Sequence, residues 1–332
     1  MKIRKYLSEF RINVFTSFKT IIPVEHLDIV NDGRSYHIYS IMATPKMRIL
    51  HDSIVQEKNR LRVRIEKQVE DNFEEIQVGD IMLDPNLDHT KLSISTKYPY
   101  NNMIIEITDS VWLITYGKTL RNNKFLLDAQ GILNISNTRS ILELEVLYVG
   151  QAFGKDGERL ATDRLKSHST FQKILTDYHS SHPDKRLYIF LYEFTPQMQI
   201  SFDGLSGVYS TTKDEDERHF NEVMNNPLKY NQVINITEAA MINYFKPPYN
   251  VNFVENFPDE GHKGYSQYYD LDYNNLVVEI DLEFDGNSAV QLWSETNKIR
   301  SSWDFIRYDL HNDPNRKSMY DIFDVHRKGD DN

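Results

Sequence analysis

Over the first 139 residues, short runs rich in Ile, Val, Tyr and Thr are separated by turn-forming residues, a pattern that predicts strands. The runs are His37 to Met42, Leu61 to Ile65, Lys91 to Lys97, Met103 to Thr108 and Val111 to Thr115. Between them stand Asn31-Asp32-Gly33, Asp84-Pro85-Asn86 and Pro99-Tyr100-Asn101-Asn102. One run alternates strictly, with Leu61, Val63 and Ile65 interleaved with Arg60, Arg62 and Arg64. Strand side chains alternate faces, so three guanidinium groups are expected in a row about 6.5 to 7 Å apart, near the phosphate repeat of a nucleic-acid strand. A solvated face that discourages edge pairing explains the same pattern.

From Val146 the pattern changes. Leu147-Tyr148-Val149 ends a strand, and a loop containing Gly150, Gly154 and Gly157 follows. Leu160, Arg164, Leu165 and His168 recur at helical offsets, which predicts a helix over Glu158 to His168. A second helix is expected over Phe171 to His179, and the near-continuous apolar run Arg186 to Phe194 predicts a strand buried on both faces. Pro196 to Gln232 reads as an insertion, in which Asp214-Glu215-Asp216-Glu217 is a solvated helix start or loop. Ile236 to Phe245 predicts a helix with Thr237 as its N-cap, ended by Pro247-Pro248. Leu276 to Phe284 and Ala289 to Glu295 flank Asp285-Gly286-Asn287, a hairpin signal, and this hairpin is expected to pack on the N-terminal β region.

Composition narrows the function classes. The longest apolar runs are far shorter than the roughly 20 residues that cross a bilayer, and the charged start of the chain does not read as a signal peptide. A cytoplasmic location is therefore expected. The chain has no cysteine, so any metal must sit on carboxylate, imidazole or carbonyl groups. The net charge of -11 argues against a general polyanion binder, because non-specific nucleic-acid affinity comes mainly from Lys and Arg. The charge is uneven: 19 basic against 17 acidic groups up to residue 139, 11 against 16 from 140 to 255, and 8 against 16 beyond. Local patches must carry any contact with DNA.

Three fragments between Leu147 and Asn250 carry candidate chemistry. They are Leu147-Tyr148-Val149-Gly150, Arg164-Leu165-Lys166-Ser167-His168, and Glu238 followed by Phe245-Lys246-Pro247-Pro248-Tyr249-Asn250. Phosphodiester hydrolysis needs an activated water, a stabiliser for charge on the phosphoryl oxygens and a Lewis acid. A tyrosine at a strand end, an arginine and a histidine one helical turn apart, and a glutamate on another helix can supply these. Arg164 and His168 are four positions apart and share a helix face.

In this order the fragments resemble the GIY-YIG nuclease superfamily over roughly residues 130–253. Tyr148-Val149-Gly150 matches the second half of the name motif, Arg164 the helix arginine, His168 the histidine a turn later, Glu238 the metal-binding glutamate and Asn250 the closing asparagine. The first motif departs: its nearest counterpart ahead of Tyr148 is Gly131-Ile132-Leu133, with leucine in place of tyrosine. Arg159 rivals Arg164 for the arginine role.

The resemblance implies an α+β fold, a small antiparallel sheet flanked by helices, with further β-rich regions at both ends. The implied division is a β-rich domain at 1–129 for target recognition, a nuclease-like domain at 130–255 with an insertion at 196–232, and an acidic hairpin-containing region at 256–332. The implied activity is metal-dependent DNA endonuclease action of restriction, defence or mobile-element type. In it Tyr148, Arg164, His168 and Glu238 converge on one cleft, and Glu238 binds Mg2+ or Mn2+. Arg60, Arg62, Arg64, Arg159, Lys246 and Asn250 are the expected nucleic-acid contacts. DNA is the expected partner, with RNA and a homodimer both open, and no membrane is expected. The alternative is a nuclease-fold protein weakened or inactive in catalysis that binds nucleic acid or protein, for which the missing tyrosine and the acidity speak.

Overall fold

The computed structural model describes residues 2–29, 34–83, 89–107, 124–136, 141–152, 165, 169–202, 209–284, 288–299 and 302–319. The chain opens with β1 (Ser8–Pro23) and β2 (Ile38–Pro45). Nine short strands follow: β3 (Met47–Ile49), β4 (Val55–Glu57), β5 (Arg60–Arg62), β6 (Ile65–Val69), β7 (Asn72–Ile76), β8 (Ile81–Met82), β9 (Leu92–Thr96), β10 (Asn102–Ile107) and β11 (Lys124–Asp128). Then come α1 (Ala129–Ile135), β12 (Ile141–Gln151), α2 (Ser169–Ser181), β13 (Lys185–Phe202), α3 (Lys213–Asn225) and α4 (Tyr230–Phe245). The last strands are β14 (Asn275–Asp281), β15 (Glu283–Phe284), β16 (Ser288–Trp293), β17 (Lys298–Ile299) and β18 (Trp303–Asp309).

The expected small antiparallel sheet between helices is corrected here. The described chain is dominated by strands, and β12, β2 and β13 belong to one large mixed sheet ordered β15-β16-β12-β2-β13-β1-β14-β18, with β17 joined to β16. Two pairings are parallel, β1 with β14 and β12 with β16. The reason for the size of the sheet lies in α4. Val233, Ile234, Ile236, Ala239, Ala240, Met241, Ile242 and Phe245 are all buried, and a helix apolar around most of its circumference must be enclosed rather than laid on a surface. The sheet curls round it. Helix α4 packs along β12, and the Tyr308 hydroxyl on β18, far along the sheet order, donates to Asn243 Oδ1 at 2.8 Å. Phe284 on β15 meets Phe190 on β13 with ring centroids 5.7 Å apart, which brings non-neighbouring strands together and leaves the sheet nearly closed.

The opposite face of β2, β12 and β13 carries a second core. Tyr39, Ile41, Leu147, Leu187, Ile189 and Leu191 pack there with Phe171, Ile174 and Tyr178 of α2. Strand β13 is thus buried on both faces where its sequence is continuously apolar. It also runs past Phe194 to Phe202, and its second half, expected as insertion, pairs with β1.

Residues between β2 and β12 form three three-stranded sheets over a third core of Ile49, Leu61, Val63, Ile65, Ile81, Met103, Ala129, Ile132 and Leu133. The expected strand Leu61 to Ile65 is split between β5 and β6, and Val111 to Thr115 lies outside the described residues. Helix α4 begins six residues before Ile236, so Thr237 is an interior residue whose buried hydroxyl donates to Val233 O at 2.7 Å. Helix α3 starts on a capping box of Thr212 and Glu215. Among the described residues no helix is long and apolar enough to cross a membrane.

Candidate functional site

Tyr148 sits where β12 carries a bulge. Val146 lies opposite Met42 and Tyr148 opposite Ile41, so Leu147 is an extra residue. A bulge re-aims the side chains beyond it. Here it puts Tyr148, with Leu147, on the α2 side of the sheet, whereas Val146 and Val149 face α4.

The strand beside Tyr148 supplies an unanticipated partner. Gly150 lies opposite Tyr39 on β2, and the Tyr39 and Tyr148 rings are 6.1 Å apart between centroids. A Cβ on Gly150 would come within 2.6 Å of Tyr148 Cε1 and 2.8 Å of the Tyr39 hydroxyl. Only glycine permits both rings to close over this point. Gly131-Ile132-Leu133, the expected counterpart of the first motif, lies in α1, with Ile132 and Leu133 buried in the third core. That assignment is corrected. The residues opposite Tyr148, Val149 and Gly150 are Ile41, Ser40 and Tyr39, and Tyr39 closes the sequence His37-Ile38-Tyr39, which shares its last two residues with Gly-Ile-Tyr. Local spacing conceals this, because the insertion sets Tyr39 and Tyr148 109 positions apart.

His37 is buried, and burial lowers its pKa below the ordinary histidine value. Its ring stands edge-on to Tyr230 at 5.7 Å, and its carbonyl accepts from Ala152 N–H at 2.8 Å, tying the end of β12 to the start of β2.

Asn250 closes the other edge of β12. Its Oδ1 accepts from Val149 N–H at 2.9 Å and its Nδ2 donates to Val149 O at 2.8 Å, while Tyr249 N–H donates to Leu147 O at 3.1 Å. The segment after α4 therefore lies along β12 as a short surrogate strand. Lys246 turns the chain there with φ 45° as the left-handed C-cap of α4. Its Nζ pairs with the exposed Glu255 at 2.8 Å.

Glu238 is half-buried in the middle of α4. One turn earlier, Asn235 Oδ1 accepts from Gln151 Nε2 at 2.7 Å. Residues three apart on a helix are neighbours, so Glu238 stands beside the end of β12 that follows Tyr148 and Gly150. It approaches from the α4 side, whereas Tyr148 faces α2, so the expected convergence of these two residues on one cleft is corrected: they flank β12 from opposite faces of the sheet. Tyr249 packs with the α2-side cluster, so the chain from α4 passes round the edge of β12 between the two. Arg159, Arg164 and His168 lie outside the described residues, and Leu165 is buried in the α2-side core with Tyr39.

The arginine row alternates as expected. Leu61 and Val63 are buried, and Arg60, Arg62 and Arg64 point to solvent. Each is matched by acid: Arg60 and Arg62 by Asp80 at 3.5 and 3.1 Å, Arg62 also by Glu57 at 3.5 Å, and Arg64 by Glu75 at 3.5 Å. Such exposed pairs are worth roughly 0 to 1 kcal/mol and exchange readily for another anion.

Glu238 offers a hard carboxylate oxygen, a donor that suits Mg2+ or Mn2+ with water in the remaining positions. Among the described residues no three His, Cys, Asp or Glu side chains form a preassembled metal cluster. A single-carboxylate site needs none.

No family model, curated protein or solved structure matches the chain.

Proposed function

We propose that this protein is a cytoplasmic, metal-dependent nuclease that hydrolyses phosphodiester bonds in DNA, with a site related to that of the GIY-YIG nucleases. The observation that carries this reading is the pairing of Tyr39 and Tyr148 over Gly150, because the first motif, with leucine in place of tyrosine, is where the resemblance in sequence departs most. The clamp of Asn250 on Val149 supports it independently.

In this reading the two phenol groups hold and orient the attacking water on the α2 side of β12. Arg164 stabilises charge developing on the phosphoryl oxygens, a role commonly worth about 10² to 10³ in rate. His168 assists proton transfer, and Asn250 keeps the tyrosine strand in place. Glu238 would hold Mg2+ or Mn2+ at the end of β12, on the α4 side, and the ion when bound would supply Lewis-acid stabilisation to a phosphate drawn round that edge of the strand. The acidic surface favours selective engagement of DNA over general adherence to it.

The test is nicking of supercoiled plasmid with Mg2+ or Mn2+, run beside Glu238→Ala and Arg164→Ala. Metal-dependent nicking lost in both variants supports the reading. Equal, intact plasmid with all three proteins across several substrates removes it in favour of a binding role.

A further inference from the structure

We propose that the insertion between β2 and β12 carries a stacking platform for unpaired DNA bases, built from Tyr98, Tyr100 and His51. It rests on the nuclease reading for its purpose, and names the form of DNA that the protein takes. Tyr98 is 86% exposed. Its ring stands edge-on to Tyr100 at 6.1 Å, and His51 lies against Tyr100 at 5.6 Å. The three rings form an aromatic cluster whose outer member, Tyr98, has an almost wholly open ring.

The backbone holds that surface in place. Tyr100 has φ 65°, a conformation unfavourable for a bulky side chain and retained only where surrounding bonds impose it. Its N–H donates to Lys97 O at 2.7 Å, and its carbonyl accepts from Ile49 N–H at 2.8 Å, which ties the loop to β3. A platform fixed in advance loses little further freedom on binding.

Cations border it. Leu50 N–H donates to Arg64 O at 3.0 Å, and Ser53 Oγ accepts from Arg64 N–H at 2.9 Å, so the last arginine of the row meets the segment bearing His51. Lys97 is exposed. Two acids also stand here, Asp52 bonded to His51 at 2.9 Å and Glu75 paired with Arg64. With charge nearly balanced, stacking must supply most of the affinity. Bases expose a π-face to such rings only when they are unpaired. The platform lies along the chain from the far end of β2, and the chain from Tyr39 to His51 spans at most about 40 Å by strand rise, a distance that a DNA strand of several nucleotides covers.

The experiment is fluorescence anisotropy of labelled oligo-dT, and of a duplex, with the full chain in EDTA so that cleavage does not intervene. Wild type should bind oligo-dT more tightly than duplex. Tyr98→Ala should weaken oligo-dT binding about tenfold, the loss of one stacked base, and Tyr98→Phe should bind within about twofold of wild type. Lys97→Ala should lower the salt slope by about 0.7, one single-strand phosphate. Oligo-dT binding that is absent, no tighter than duplex, or unchanged by Tyr98→Ala overturns the platform. Plasmid nicking measured on the same preparations keeps the two readings apart. Nicking with Tyr98-independent binding leaves only cleavage standing, and Tyr98-dependent binding without nicking leaves only the platform.

Discussion

Tyr39 and Tyr148 meet across two paired strands because Gly150 has no side chain to separate them. Gly150→Ala places a methyl carbon within 2.8 Å of both rings, and both strands are held by neighbours on either side. Overpacking of this kind costs about 1 to 3 kcal/mol. Urea unfolding should show that loss, and cleavage should fall further than stability alone explains, because the rings are pushed apart.

Asn250 satisfies both the N–H and the carbonyl of Val149, a fully buried residue at an edge with no other partner for them. Asn250→Ala leaves both unmet, at about 1 to 3 kcal/mol. Asn250→Asp keeps the acceptor alone and should fall between alanine and wild type. Chemical denaturation of the three proteins checks that order.

Asp272 reports on a buried charge network. Arg316, with its side chain 3% exposed, pairs with Glu9 at 2.6 Å and Asp272 at 2.5 Å. Burial alone would raise the Asp272 carboxyl, but the Arg316 charge and hydrogen bonds from Lys5, Arg316 and Tyr6 outweigh it and hold the pKa at about 2, below the ordinary 3.8. A depressed carboxylate contributes stability that is complete above about pH 4 and is lost as pH falls toward 2. Wild type should exceed Asp272→Asn by about 1 to 3 kcal/mol near neutrality, and the gap should narrow below pH 4. A gap that stays constant to pH 2 would assign the difference to packing.

The alternation in β5 separates two classes of residue by stability. Leu61→Ala removes a side chain that is 1% exposed and should cost about 2 to 5 kcal/mol. Arg62→Ala, on the solvent face, should stay within about 0.5 kcal/mol. Thermal melts of the two variants distinguish them directly.

What the sequence made legible, and what it hid, follows from the range of the interactions involved. The strands β2, β9, β10 and the first half of β13 announce themselves by local composition, and α2 by its apolar spacing. Strand β1 is not legible locally although Phe10, Ile12 and Val14 alternate with Glu9, Arg11 and Asn13, since its partner residues on β13 lie over 160 positions away. The start of α4, from Tyr230 to Asn235, is hidden in the sequence because Asn231, Gln232 and Asn235 interrupt the apolar period. Gln232 and Asn235 instead bond to Gln267, Gly264 and Gln151. Tyr39 was hidden by the same kind of distance. Its neighbours His37 and Ile38 resemble the motif, but adjacency to Tyr148 exists only once β2 and β12 pair across the insertion. The small sheet implied by resemblance gave way to the large one because α4 is apolar on nearly every side.

The most direct measurement is metal-dependent cleavage of plasmid DNA by wild type beside Tyr39→Phe, which keeps the ring and removes the hydroxyl. If Tyr39 completes the site, wild type nicks with Mg2+ or Mn2+, and Tyr39→Phe loses at least about tenfold in rate, the scale of one general acid-base or positioning contact, while melting as wild type does. Cleavage at the wild-type rate by Tyr39→Phe would contradict the account.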